Sequence, residues 1–143
     1  MTQPDLQLRA YDDADEAAVI ALWNEGLPDD APHNDPATAI RNKLAVERDL
    51  FFVAVEGGAV VGTVLGGYDG HRGWVYSLAV KPQHRRQGVG SALVHRLEQA
   101  LAGRGCLKVN LQVRSSNAAV VAFYEKLGYA VEPRVSMGKR LYR

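Results

Sequence analysis

Arg85-Arg86-Gln87-Gly88-Val89-Gly90 lies between an apolar run, Val75 to Val80, and a long amphipathic segment that begins at Ser91. Read as strand, turn and helix, the stretch sets several backbone N–H groups at the mouth of a helix. The first N–H groups of a helix have no internal partner, and the helix dipole adds partial positive charge there. Such a mouth suits a phosphate. Gly88 and Gly90 carry no side chain to block an anion, and Arg85 and Arg86 add full positive charge beside it. No Gly-Lys-Ser/Thr follows, so this is not a Walker loop. The third glycine of G-x-G-x-x-G is also missing, which excludes the dinucleotide fingerprint. A tight turn with a basic helix start would look the same, so the stretch needs its context.

The context is a chain of 143 residues with a net charge of +1. That length suits one domain, expected here over residues 1–143, with a core that needs no staples. The charge argues against a nucleic-acid binder, which carries a basic excess. Cys106 is the single cysteine and has no intramolecular partner for a disulfide, which fits a reducing compartment. No signal peptide is visible, and apolar runs such as Leu50 to Val55 are too short to span a bilayer. A soluble cytoplasmic protein without membrane association is the expectation.

Outward from the loop, the chain alternates elements. Leu6, Leu8 and Ala10 predict a first strand. Asp12, Asp13 and Asp15 read as capping for a helix from about Asp13 to Glu25, with Ala17, Ile20, Ala21 and Trp23 inward. A loop from Gly26 to Pro36 follows. A second helix runs to about Arg48, with Ile40, Leu44, Ala45 and Val46 inward and Pro36 in its first turn. Phe51 to Glu56, the Gly57-Gly58 turn and Val60 to Tyr68 form a hairpin. Trp74 to Lys81 is the strand that feeds the glycine loop. Val89, Leu93, Leu97, Ala100 and Leu101 have helical spacing, and Gly103 and Gly105 end that helix. Leu107 to Val113 alternates as a strand. Asn117 caps a helix from Ala118 to Leu127, and Tyr129 to Glu132 and Val135 to Leu141 are expected as two closing strands. The order β1-α1-α2-β2-β3-β4-α3-β5-α4-β6-β7 predicts an α/β (α+β) fold. Its sheet is mixed, mostly antiparallel, with about seven strands, and four helices cover both faces.

Three stretches of this chain resemble the GNAT superfamily of N-acetyltransferases: Leu78 to Pro82, Arg85 to Gly90, and Asn117 to Tyr129. Gly66 to Gly73 and Gly138 to Leu141 are similar, more narrowly, to small bacterial YpeA-type acetyltransferases. The resemblance implies acetyl-coenzyme A (acetyl-CoA) as donor; the chemistry itself needs no metal, and the sequence has no Cys/His cluster to bind one. It implies that Arg85, Arg86, Gln87, Gly88, Val89, Gly90 and Ser91 hold the pyrophosphate. Leu78, Ala79 and Val80 would face the pantetheine arm where two strands splay. Asn117 matches a cofactor-contacting position, and Tyr124 matches a tyrosine near the sulfur. The implied acceptor is an amine of a small molecule, protein or peptide, and the implied assembly is a monomer or homodimer.

The chemistry suits these residue types. The amine must lose a proton to attack, since a lysine-like amine has a pKa of about 10.4 in water. The oxyanion that forms needs a donor, such as the Val80 N–H. The leaving thiolate needs a proton, which Tyr124 supplies as general acid in this reading. Asn117 also serves as a plain cap, and Cys106 reads as a small buried hydrophobe. His84 and His95 are expected to face solvent. The run Leu111 to Asn117 resembles the ribosomal-protein N-terminal acetyltransferases, which carry a glutamate base where this chain has Gln112. An amide takes no proton at neutral pH, so the base is open among Tyr76, Glu25 and a water chain. A non-catalytic acetyl-CoA sensor is the alternative function.

Overall fold

The computed structural model describes residues 6–26 and 31–142. The chain divides into two units, one ending at Gln112 and one beginning at Val113. The first unit holds a six-stranded sheet: β1 (Leu6–Ala10), β2 (Phe51–Glu56), β3 (Ala59–Tyr68), β4 (Gly73–Val75), β5 (Ala79–Val80) and β6 (Val109–Leu111). The spatial order is β1-β2-β3-β4-β6, and β5 pairs with β3. All pairings are antiparallel except β4 with β6. The same unit holds α1 (Glu16–Gly26), α2 (Pro36–Glu47) and α3 (Val89–Ala102). Gly57 and Gly58 both have positive φ, as a two-residue hairpin turn between β2 and β3 requires.

The sheet is buried on both faces, which explains why Phe51 to Val55 is an unbroken apolar run. On one face, α3 lays Val89, Leu93, Leu97 and Leu101 against the strands, one residue every four. Glycines make this approach possible. A Cβ on Gly62 would lie 2.9 Å from Leu93 Cδ1, and one on Gly73 would lie 2.9 Å from Leu101 Cδ1. A Cβ on Gly66 would collide with Leu97. The sequence reads Gly62, Gly66 and Gly67 as lowering the strand's packing; the structure assigns Gly62 and Gly66, with Gly73, to the closest helix–sheet contact. Gly66→Val is therefore expected to overpack the core and cost about 1–3 kcal/mol. Urea unfolding reads this directly, and an unchanged midpoint would remove the glycine seat from the account.

On the other face, Tyr11 stacks on Phe51 with ring centroids 4.3 Å apart, and Val19, Leu22, Trp23 and Ile40 complete the cluster. This shifts the inward face of α1: Ala17 and Ala21 are exposed, and Val19 and Leu22 replace them. Alanines bury little apolar area, so the larger side chains set the phase of the helix. In α2, Ile40 is buried, whereas Ala45 and Val46 are exposed. Lys43 and Glu47 turn inward instead. Glu47 accepts the Tyr68 N–H at 3.2 Å and pairs with Lys43 and Arg104, each at 3.3 Å. Desolvation holds the Lys43 ammonium below the ordinary lysine range, against the pull of Glu47. The acidic cluster does cap: Asp12 accepts from Ala14 N, and Asp15 accepts from Asp12 N, both at 2.9 Å. Asp15 also takes a two-pronged bond from Arg9 at 2.7 and 2.9 Å. Residues 27–30 of the expected loop lie outside the described residues.

The strand expected from Trp74 to Lys81 is two strands. Gly66 stands opposite Val75 and Thr63 opposite Ala79, so three residues, Tyr76 to Leu78, face two, Val64 and Leu65. That is a β-bulge, which bends its strand and re-aims the backbone beyond it. The strand expected over Leu107 to Val113 is only Val109–Leu111, because β6 has β4 alone to pair with. In the second unit, α4 (Ala118–Lys126) forms as expected. The two closing strands do not: residues 129–142 carry no strand. Pro133 has no N–H to donate, and the side chains of Val131, Val135, Met137 and Leu141 are exposed, so no buried apolar face supports pairing there.

Candidate active site

The first unit builds two features next to each other in the chain. One is the start of α3. Gly88 is its N-cap residue, in the left-handed region at φ 82°, and no side chain caps the helix. No acidic residue lies in its first turn. The N–H groups of Val89, Gly90 and Ser91 thus begin a helix with neither a side-chain cap nor a carboxylate beside them, a mouth for an anion. Arg86 also has positive φ, at 65°, which is uncommon for a residue with a Cβ. Arg85 and Arg86 are both exposed. Arg85 Nε donates to the Val80 carbonyl at 3.3 Å, which ties the loop to β5.

The other feature is the outer edge of β5. β6 pairs with Gly73, Trp74 and Val75 only, and β5 pairs with β3. β6 ends at Leu111, opposite Val75, so among the described residues no strand pairs with the outer edge of β5. The Lys81 N–H donates to Val61 O at 2.9 Å, so it faces β3. Backbone groups alternate along a strand, so the Val80 N–H faces the opposite, open edge. The Leu78 N–H is taken locally by the Tyr76 carbonyl at 2.8 Å, which leaves its carbonyl as the group it can offer. An open edge of backbone donors and acceptors suits an amide-bearing arm, and the adjoining uncapped helix suits a phosphate. The residues present fit an acetyl-CoA donor.

The second unit holds Asn117 and Tyr124. Asn117 is the N-cap of α4 and accepts from Val120 N at 3.2 Å, so the capping role is real. Tyr124 is buried, with Phe123 and Tyr129 edge-on to its ring at centroid distances of 4.9 and 5.5 Å. Burial pushes its phenol up to about 12. An unfolded tyrosine ionises near 10. Between those values the unfolded chain holds fewer protons than the folded one, so this contribution is complete below about pH 10 and falls as pH rises towards 12. Urea unfolding at about pH 9 and about pH 11 should differ by about 1 kcal/mol from this group. Tyr124→Phe should remove that part of the difference. An identical alkaline loss in the variant would place the ionisation elsewhere.

The open question of the base narrows. Tyr76 is exposed at the bulge, and desolvation and then Glu47 raise its phenol, so it keeps its proton near neutrality and is a poor base. Glu25 lines a cavity of about 360 Å³ together with Asp15 and Lys81. Gln112 is exposed. His95 faces solvent as expected, whereas His84 is half-buried, with Nε2 3.7 Å from Glu56 Oε1. Cys106 packs its Sγ beside Gly73. Among the described residues, no group of His, Cys, Asp and Glu could hold a metal, and no helix is long and apolar enough to cross a membrane.

Sequence patterns miss the bulge and the polar chain behind it, from Trp23 through Thr63 to the Ser77 carbonyl. Thr63, the one polar residue from Ala59 to Leu65 apart from glycine, is the signal that could reveal that chain.

The chain belongs to the acetyltransferase (GNAT) family, whose profile matches residues 14–129. It is 46% identical to an acetyltransferase of Yersinia enterocolitica, covering 95% of this chain and 96% of that one. Two solved structures resemble it at somewhat lower identity. Ard1 from Thermoplasma volcanium is 26% identical, with a TM-score of 0.81 over 90% of this chain and 84% of that one. The ribosomal-protein-S18-alanine N-acetyltransferase from Escherichia coli is 28% identical, with a TM-score of 0.74 over 86% of this chain and 76% of that one. The protein is an N-acetyltransferase.

Proposed function

We propose that the protein transfers the acetyl group of acetyl-CoA directly to a primary amine, and that residues 1–143 act as one acetyltransferase domain. The observation that carries this reading is the uncapped start of α3 beside the open edge of β5. The N–H groups from Gly88 to Ser91, with Arg85 and Arg86, neutralise the pyrophosphate. Gln87 lies in the same turn. The Val80 N–H and the Leu78 carbonyl hold the pantetheine arm, and Ala79 keeps β5 in the sheet. The Val80 N–H also meets the negative charge that grows on the thioester oxygen as the amine nitrogen bonds to carbon. As the carbon–sulfur bond breaks, Tyr124 gives its proton to the sulfur and is reprotonated from solvent before the next turnover. The amine proton leaves through water or to Glu25, because Tyr76 and Gln112 are unsuited to take it. Asn117 contributes to the donor site as well as capping α4.

The acceptor class spans small-molecule amines and protein or peptide amines. A glutamate base is absent at Gln112, which disfavours a peptide N-terminus. Thiol release from acetyl-CoA, measured against a panel of small amines, lysine peptides and peptide N-termini, tests the reading. Amine-dependent thiol release is expected from the first two groups. Release independent of every amine would contradict acetyl transfer to nitrogen.

A further inference from the structure

A buried polar chain runs from α1 to the bulge that opens the donor edge. Trp23, on α1, donates its indole Nε1–H to Thr63 Oγ1 at 2.8 Å, and both side chains are buried. Thr63, on β3, in turn reaches the Ser77 carbonyl at 3.5 Å. Ser77 is the middle residue of the three that bulge. Thr63 also stands opposite Ala79, the first residue of β5. A hydroxyl this buried must place its own proton, and Ser77 O is the acceptor it has. Two backbone bonds also hold the bulge, Tyr76 N–H to Leu65 O and Leu78 N–H to Tyr76 O, both at 2.8 Å. The second of these is a tight local turn that sets no position relative to the sheet. Thr63 supplies that position.

We propose that Thr63, oriented by Trp23, is a positioning residue. It fixes the Ser77 carbonyl, and through it aims the backbone of Leu78 and Val80 at the pantetheine arm of acetyl-CoA. This rests on the reading that the β5 edge takes that arm. The loop from Arg85 to Gly90 follows β5 and is held to it through Arg85, but its own phosphate contacts come from the helix start, which Thr63 does not touch. Loss of the hydroxyl should therefore separate the two halves of the donor.

The test uses calorimetry with acetyl-CoA and with 3′-phospho-ADP, the half of the donor that lacks pantetheine. Thr63→Val keeps the shape of the side chain and removes the hydroxyl, and Thr63→Ser keeps the hydroxyl. Thr63→Val should bind acetyl-CoA about tenfold more weakly or worse, a loss of roughly 1.4 kcal/mol. Its affinity for 3′-phospho-ADP should stay within about twofold, and Thr63→Ser should restore acetyl-CoA binding to within about threefold. If Thr63→Val does not fold, Trp23→Phe removes the donor to Thr63 and should give the same selective loss. Wild-type affinity for acetyl-CoA in the folded variant would overturn the proposal. So would an equal loss for both ligands, which is the signature of general loosening. Wild type that binds 3′-phospho-ADP but gains nothing from pantetheine would overturn the donor-edge reading, and this role with it.

Discussion

Tyr124→Phe should lower kcat by about 10²-fold or more, within the range for a positioned general acid, and leave the affinity for acetyl-CoA nearly unchanged. The ring packs between Phe123 and Tyr129, and phenylalanine keeps that packing. Only the hydroxyl is lost. With its pKa pushed up to about 12, the phenol stays protonated throughout the neutral range and can give its proton to a departing thiolate. In the proposed step this donor interaction is made as the carbon–sulfur bond breaks, so the loss belongs in kcat. The same raised pKa predicts that titration of Tyr124 does not lower the rate in the neutral range. Steady-state rates with a saturating amine, beside calorimetry of acetyl-CoA, check both points. Equal turnover by variant and wild type would leave water as the proton source.

Gly88→Asp should weaken acetyl-CoA binding by at least about tenfold, or about 1.4 kcal/mol. Gly88 is the cap residue of a helix that has no side-chain cap, and its φ of 82° is one that a side chain adopts at a cost. The new carboxylate would sit where the proposed donor site takes the pyrophosphate and would repel it. A carboxylate at a helix start is favourable to the helix itself, so the fold should survive. Calorimetry on the folded variant, checked by its thermal melt, reads the effect. Unchanged affinity would remove the loop from the donor site.

Much of this is legible in the sequence because the signals are local. Arg85 to Gly90 declares a turn and a helix start by residue type alone. The four-residue repeat from Val89 to Leu101 needs no knowledge of its partner, and Asn117 announces the cap that it makes. What escapes depends on contacts between distant residues. The bulge at Tyr76 to Leu78 exists because β3 pairs on either side of it out of step, and no local pattern marks it. The inward turn of Lys43 and Glu47 follows from the Tyr68 N–H and the Gly66 carbonyl that they satisfy. Gly62 and Gly66 read as weakness until α3 is seen seated on them. At the other end, Val135 to Leu141 is expected as a closing strand, and apolar residues without a buried face do not make one.

In the proposed mechanism the acetyl group passes directly from bound donor to bound amine, with both present on the enzyme at once. Initial rates measured at several concentrations of acetyl-CoA and of an active amine test it most directly. Intersecting double-reciprocal lines, with no acetylated protein detected by mass spectrometry when the amine is withheld, are the expected result. Parallel lines together with an acetyl group on the protein would instead mean a ping-pong route through an acetyl-enzyme, and would contradict direct attack.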